Sequence, residues 1–330
     1  MIVWSGPASF DNGDTMPESS TAGYDALTNG AALLDLSRRG RIRVTGEDRA
    51  RLLHAMTTNH VQQMKPGDGI YAFFLDAQGH ILADACILCF EDHFLLDTAP
   101  ETRKTIYEHL DQYIIADDVT LEDVTDTTFS FGLEGPKAAD TAARCEMQAP
   151  HHRFAHISLG ELVTAAISST GSYGVRIYGP IRDKEEAAAK IEGAGAIAAS
   201  DEDAETVRIE NFVPRYGCDI TEHTLPQETQ QMHALHFQKG CYLGQEIVER
   251  IRSRGHVNRL LMGFRIESQS AAPAPGAKLI LEEKPAGEVT SSAAANGAVF
   301  GLAYVRTQWA KSGAMAEIEG HAAALFSPHD

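Results

Sequence analysis

The residues whose types and spacing could do chemistry are densest in Lys239-Gly240-Cys241-Tyr242-Leu243-Gly244-Gln245-Glu246, where a cation, a thiol and two glycines share eight positions. Glycine lets backbone turn tightly or approach a ligand, lysine brings a compact charge, and a deprotonated cysteine is a soft nucleophile. From Lys239 to Arg259 the positive residues are Lys239, Arg250, Arg252, Arg254 and Arg259, and the negative ones only Glu246 and Glu249. That local excess lies in a chain with 28 Lys+Arg against 46 Asp+Glu and a net charge of −18, so the segment can hold an anion while the whole repels nucleic acid. Lys239, Arg250 and Arg252 are the candidate anion contacts. Asp84 is a second focus: it sits inside Ala83-Asp84-Ala85-Cys86-Ile87-Leu88, and a carboxylate buried in an apolar strand needs a partner or a purpose.

Other candidates carry less. Cys86 and Cys89 form a C-x-x-C without a second ligand pair, which reads as strand interior rather than metal or redox site. His151, His152 and His156, and the pair His233 and His236, have no acid or cysteine at metal spacing and read as surface histidines. Five cysteines do not make a disulfide framework, no apolar run approaches the roughly 20 residues of a membrane span, and Met1-Ile2-Val3-Trp4 lacks the charge and apolar stretch of a secretory leader. The expectation is a cytoplasmic protein with no membrane and no direct nucleic-acid partner.

The elements that must position these residues follow from pattern. At roughly 150 residues per domain, the length gives two or three domains. Residues 1–20 read as a loose arm. Arg41-Ile42-Arg43-Val44 alternates as a strand, and Thr45 with Asp48 suggests a capping box opening a helix with Leu52, Leu53 and Met56 inward. Tyr71–Leu75 and Ile81–Leu88 flank Asp76-Ala77-Gln78-Gly79 as a β-hairpin, Phe94–Asp97 adds a strand, and Pro100 opens a helix. A second unit starts at Phe129–Leu133, with an Ala-rich helix after Gly135-Pro136, strands near Leu162-Val163 and Val175–Ile177, and a helix near Lys184–Ile191. Beyond Arg259, five short strand-like runs (260–266, 278–281, 287–291, 299–305 and 316–318) suggest a small antiparallel barrel. The fold class is α+β, with units at 21–125, 126–258 and 259–330.

The block at 239–246 closely resembles the K-G-C-[FY]-x-G-Q-E signature of the YgfZ-type folate-binding proteins, relatives of the glycine-cleavage T-protein (aminomethyltransferase). Leu34-Asp35-Leu36-Ser37, Asp76–Gly79, Arg208-Ile209-Glu210, Pro214–Ile220, Ala286–Ser291 and Gly301–Val305 resemble the same superfamily, so the likeness spans roughly residues 30–310. It implies a three-domain cloverleaf, two interleaved α/β domains plus a C-terminal antiparallel β-barrel, around a folate channel. The T-protein's Phe-Ala-Gly-Trp opening is missing, and Thr170–Arg176 stands in place of its G-Y-T-G-E-D-G-F-E segment. The resemblance therefore points to the YgfZ branch, which maintains iron–sulfur enzymes and bears on tRNA modification indirectly, with an aminomethyl or one-carbon transferase as the alternative.

What the resemblance implies for the site is specific. Tetrahydrofolate, or its 5,10-methylene or 5-formyl derivative, is the expected cofactor, and iron–sulfur client or assembly proteins are the expected partners. Glu210 matches the glutamate that accepts the pterin edge, Asp84 the aspartate beside folate N10, and Tyr71 a residue flanking the ligand. Asp97 stands where the family has an asparagine. Lys239, Arg250 and Arg252 would meet the anionic tail, with Arg254 a further candidate. Cys241 would supply thiolate chemistry, an inert packed cysteine being the other reading.

Overall fold

The computed structural model describes residues 21–327 apart from Gln269; the arm expected at 1–20 lies outside them. Two sheets and a barrel make up the molecule. Strands β1 (Ala32–Asp35) and β2 (Gly40–Thr45) are consecutive in sequence but enter different sheets, which is where the two α/β units interleave. After helices α1 (Ala22–Asn29) and α2 (Arg49–Met56) come β3 (Gly69–Leu75), β4 (Ile81–Cys89), β5 (Phe94–Thr98), α3 (Arg103–Asp111) and β6 (Thr120–Asp123). The first sheet has the order β3-β4-β5-β2-β6. The second is built from β7 (Thr128–Glu134), α4 (Ala138–Arg144), β8 (His156–Leu159), β9 (Leu162–Ala165), β10 (Gly174–Pro180), α5 (Lys184–Gly193), β11 (Ile197–Ala198) and α6 (Asp201–Glu210). Its order is β11-β1-β7-β10-β9-β8.

Helix α7 (Gln245–Arg254) leads into β12 (Arg259–Ile266), β13 (Lys278–Leu281), β14 (Lys284–Ala295), β15 (Ala298–Arg306), β16 (Met315–Ile318) and β17 (His321–Phe326), which close as an antiparallel barrel. The arrangement is the expected α+β cloverleaf. The barrel has six strands where sequence pattern suggested five, because Ala322-Ala323-Ala324 carries too little side chain to read as a strand.

The two sheets meet face to face. Cys86, Leu88 and Leu95 of the first pack on Ala165 and Tyr178 of the second and on Ile167, just past β9. Behind the first sheet, Leu53 and Met56 of α2 and Ile106 of α3 cover Ile42, Phe74 and Leu96. At about 1.5–3 kcal/mol for each large apolar side chain buried, this layer fixes the hairpin β3–β4 rigidly.

One local expectation changes. Thr45 ends β2, and Asp48 precedes α2 without capping it; its carboxylate instead accepts from the Asp118 amide at 3.0 Å. The true capping box is Ser200 with Asp203, opening α6. Glu210 ends that helix, and Leu34-Asp35 belongs to β1.

Candidate functional site

Strands β3 and β4 pair so that Tyr71 lies opposite Cys86 and Phe73 opposite Asp84. The Tyr71 hydroxyl then reaches diagonally to donate to Asp84 Oδ2 at 2.6 Å. Burial raises the Asp84 pKa, with the Tyr71 hydrogen bond and the Arg39 charge opposing it. Burial, and then the Asp84 charge, likewise push the Tyr71 phenol well up, so it stays a donor. Both side chains lie deep in the protein yet keep partial exposure, as does Arg39, whose side chain is 26% exposed. All three polar groups thus keep some access to solvent.

Asp97 holds Arg39 there. On β5, with a fully buried side chain, it accepts from Arg39 Nε, from Arg176 Nη1 at 2.8 Å and from the Tyr178 hydroxyl at 2.6 Å. Burial alone would raise its pKa; the two guanidiniums and the phenol outweigh it and hold the carboxyl at about 2. Since Arg176 and Tyr178 belong to β10, Asp97 bolts one sheet to the other. Burial, then the Asp97 charge, push the adjacent Cys86 thiol up to about 12, so it behaves as packing.

An aromatic run extends from this point. The Tyr71 ring stacks on His233 (centroids 5.5 Å apart, planes at 29°) and on Phe154 (6.3 Å, 15°), and meets Phe73 edge-on at 5.5 Å. Arg153 Cζ lies 4.7 Å from the Phe154 ring centroid. Phe154 has a left-handed backbone, φ 67°, and its carbonyl lies so close to Gly69 that a Cβ there would stand 2.0 Å from the oxygen. Glycine at 69 is what lets this loop close over β3.

Glu210 lies elsewhere. Its Oε2 accepts from the Tyr24 hydroxyl at 2.8 Å, Asn296 donates to the same hydroxyl at 2.8 Å, and burial raises its pKa. No hydrogen bond, ion pair or ring contact joins it to Tyr71 or Asp84 among the described residues. Two residues earlier, buried Arg208 donates to Asp219 Oδ2 at 2.8 Å, and Asp219 Oδ1 accepts from Ser291 of the barrel at 2.7 Å. The Arg-x-Glu and Tyr-Gly-x-Asp segments thereby join α6 to the barrel.

Lys239 is buried rather than facing solvent. Its Nζ donates to the carbonyls of His54 and Thr57 at the end of α2 and lies 4.6 Å from the Tyr242 ring centroid. Burial pulls its pKa down to about 7, and as ammonium or as amine the Nζ keeps N–H groups to donate to those carbonyls. In return, His54 Nε2 lies 2.7 Å from the Lys239 carbonyl, and the Leu243 amide donates to Ala55 O at 3.0 Å. The loop so pinned presents Cys241 exposed, between Gly240 at φ 93° and Tyr242. Arg252 lies over the Phe237 ring at 4.4 Å, and Arg250 is exposed with no side-chain ion pair among the described residues.

The two sequence motifs touch through their glycines. A Cβ on Gly244 would stand 2.6 Å from Asp76 O, and one on Gly79 would stand 2.8 Å from Ile247 Cβ. The fold thus pairs Tyr71 with Asp84 and seats the Lys239 loop against the same hairpin, but leaves Glu210, Arg250 and Arg252 without a direct bond to that pair. Arg39, Arg153, Phe154, Arg176 and Tyr178 were not singled out from sequence; their partners lie far along the chain, and no local spacing signals them.

Residues 1–239, more than half the chain, match the GCVT N-terminal domain family. The chain belongs to the GCVT family. A chloroplastic Arabidopsis thaliana protein named as a transferase is 30% identical over 314 residues, covering 92% of this chain and 70% of the relative. The aminomethyltransferase of Nostoc sp. (strain PCC 7120) is 27% identical over 318 residues, covering 91% and 83%. The glycine cleavage system aminomethyltransferase T of Bartonella henselae shares the fold, with a TM-score of 0.84 at 20% identity over 92% of this chain and 87% of that one. The Tyr71–Asp84 pair and the Phe154 loop lie inside the GCVT match, whereas Cys241 and the barrel follow it.

Proposed function

We propose that this GCVT-family chain binds a reduced folate, tetrahydrofolate or a 5,10-methylene or 5-formyl derivative, and serves the assembly or repair of iron–sulfur enzymes in the manner of the YgfZ branch. The observation that carries the folate reading is the Tyr71–Asp84 hydrogen bond at 2.6 Å, between two partly exposed side chains beside stacked rings. A reduced pterin offers N–H donors and a flat ring, which suit a carboxyl and an aromatic face. Glu210, on its own elements, is the carboxyl for the pterin edge, Asp84 the carboxyl beside folate N10, and Tyr71 a ring that flanks the ligand. Bound tetrahydrofolate would supply the one-carbon chemistry; the chain's part is to bind, to orient and to hold a proton on Asp84 at higher pH than an ordinary carboxyl keeps one.

The K-G-C-Y loop supports the iron–sulfur half. Lys239 commits its Nζ to the end of α2, so its part is to hold the loop, and the exposed thiol of Cys241 is offered to an iron–sulfur client or assembly protein, with Arg250 and Arg252 on the helix that follows as cations. Such a partner is expected in the cytoplasm. The raised Asp84 carboxyl favours a second reading, folate-dependent one-carbon transfer of the aminomethyltransferase kind. Adding the purified chain to the other glycine-cleavage components in place of T-protein separates the two. The maintenance reading expects no methylenetetrahydrofolate; robust formation, abolished by Asp84→Asn, would overturn it in favour of transfer.

A further inference from the structure

We infer that Arg153 is the residue that reads the carboxylate tail of the folate, a specificity role carried by the loop before β8 rather than by the Lys239 segment. The inference rests on the folate reading above. Lys239, the cation that sequence would choose for the tail, is buried against two carbonyls and has no free face for a ligand. Arg153 differs on each count. It is exposed, and its side chain makes no hydrogen bond or ion pair among the described residues, although the chain carries 46 acidic residues.

Its place is fixed by geometry. Cζ lies 4.7 Å from the Phe154 ring centroid, Phe154 stacks on Tyr71, and the Tyr71 hydroxyl is bonded to Asp84. A guanidinium laid on an aromatic face keeps its edge N–H groups free, and that planar fork matches a carboxylate in two parallel bonds. The left-handed Phe154, its amide donating to Ala166 O at 2.9 Å, and the close approach to Gly69 hold the loop in register with the ring stack. Packing against the rings draws some water off the guanidinium and lowers its pKa although part of the side chain stays exposed, and the nearby Cys86 thiol and Tyr71 phenol are neutral, so the cation sits near the site without an acid of its own. A ligand whose ring packs at Tyr71 and whose acidic end extends along the stack would supply that acid.

The test compares two ligands by calorimetry: tetrahydrofolate, and a tetrahydropterin that lacks the benzoylglutamate tail. The wild-type chain should bind tetrahydrofolate more tightly than the tailless compound. Arg153→Ala should weaken tetrahydrofolate about tenfold while leaving the tailless affinity unchanged, and Arg153→Lys, which keeps the charge but not the fork, should fall between. An undiminished preference for the tailed ligand in Arg153→Ala would overturn the assignment while leaving the folate site standing. Absence of binding of either ligand to the wild-type chain would overturn the folate reading and this inference with it.

Discussion

Tyr71 and Asp84, on adjacent strands and one diagonal step apart, share a 2.6 Å hydrogen bond in which the phenol donates to the carboxyl. The phenol favours the ionised acid while burial favours the protonated one, and burial prevails. Tyr71→Phe should therefore raise the Asp84 pKa further, measured by NMR titration of the carboxyl carbon. A raised carboxyl stabilises the fold below its unfolded value, about 4, and that contribution is lost as pH rises through the folded value. An Asp84 titration that does not move in Tyr71→Phe would count against the pair.

Asp97 should matter more to folding than to ligand. Asp97→Asn leaves Arg39 and buried Arg176 without their anion, a change of about 3–5 kcal/mol for a buried charge that loses its partner. Because its folded pKa is depressed to about 2, the stabilisation is present above the unfolded value near 4 and is lost as pH falls through 2. Urea unfolding of the variant should show the loss at neutral pH and a shallower acid limb. A change below ~1 kcal/mol would mean that the sheets are joined by apolar packing alone.

Much of this was legible in sequence. The hairpin of Tyr71 and Asp84 announced itself through apolar runs around Asp76-Ala77-Gln78-Gly79, and the barrel through short runs separated by turn residues. What pattern missed lies in long-range register. Asp97 looked like a substituted family position, yet its partners are Arg39, in the turn before β2, and Arg176, on another sheet. Lys239 was charged and close to arginines in sequence, but folding turned it into the end of α2, where two carbonyls were already waiting for a donor. Arg153 and Phe154 stood beside histidines in a segment without periodicity, so only the closed loop assigns them a neighbour.

Lys239 sets a pH signature. Its folded pKa near 7 lies below the usual lysine value near 10.5, so the unfolded chain binds more protons between them and stability should rise with pH across that window. Lys239→Met should lack that rise and lose about 1–3 kcal/mol at pH 8 through the orphaned carbonyls of His54 and Thr57. Denaturant melts at pH 7, 8 and 9 check it; parallel slopes for the two proteins would remove the lysine from the account.

Gly244→Ala tests the contact between the two motifs. The new Cβ would stand 2.6 Å from Asp76 O at a backbone φ of 81°, which costs about 1–3 kcal/mol and pushes α7 off the hairpin turn. Amide exchange should speed up at Gln78–His80 and through α7 together. Exchange altered in α7 alone would show that the two segments move independently.

The most direct measurement for the whole account is calorimetric titration of the purified chain with tetrahydrofolate, beside Asp84→Asn and Glu210→Ala. The account predicts saturable binding to the wild-type chain, weakened by about 1–3 kcal/mol in each variant, the scale of a hydrogen bond to a charged partner. No heat with tetrahydrofolate at millimolar concentration would contradict it outright, and binding left unchanged by both variants would move the ligand away from these carboxyls.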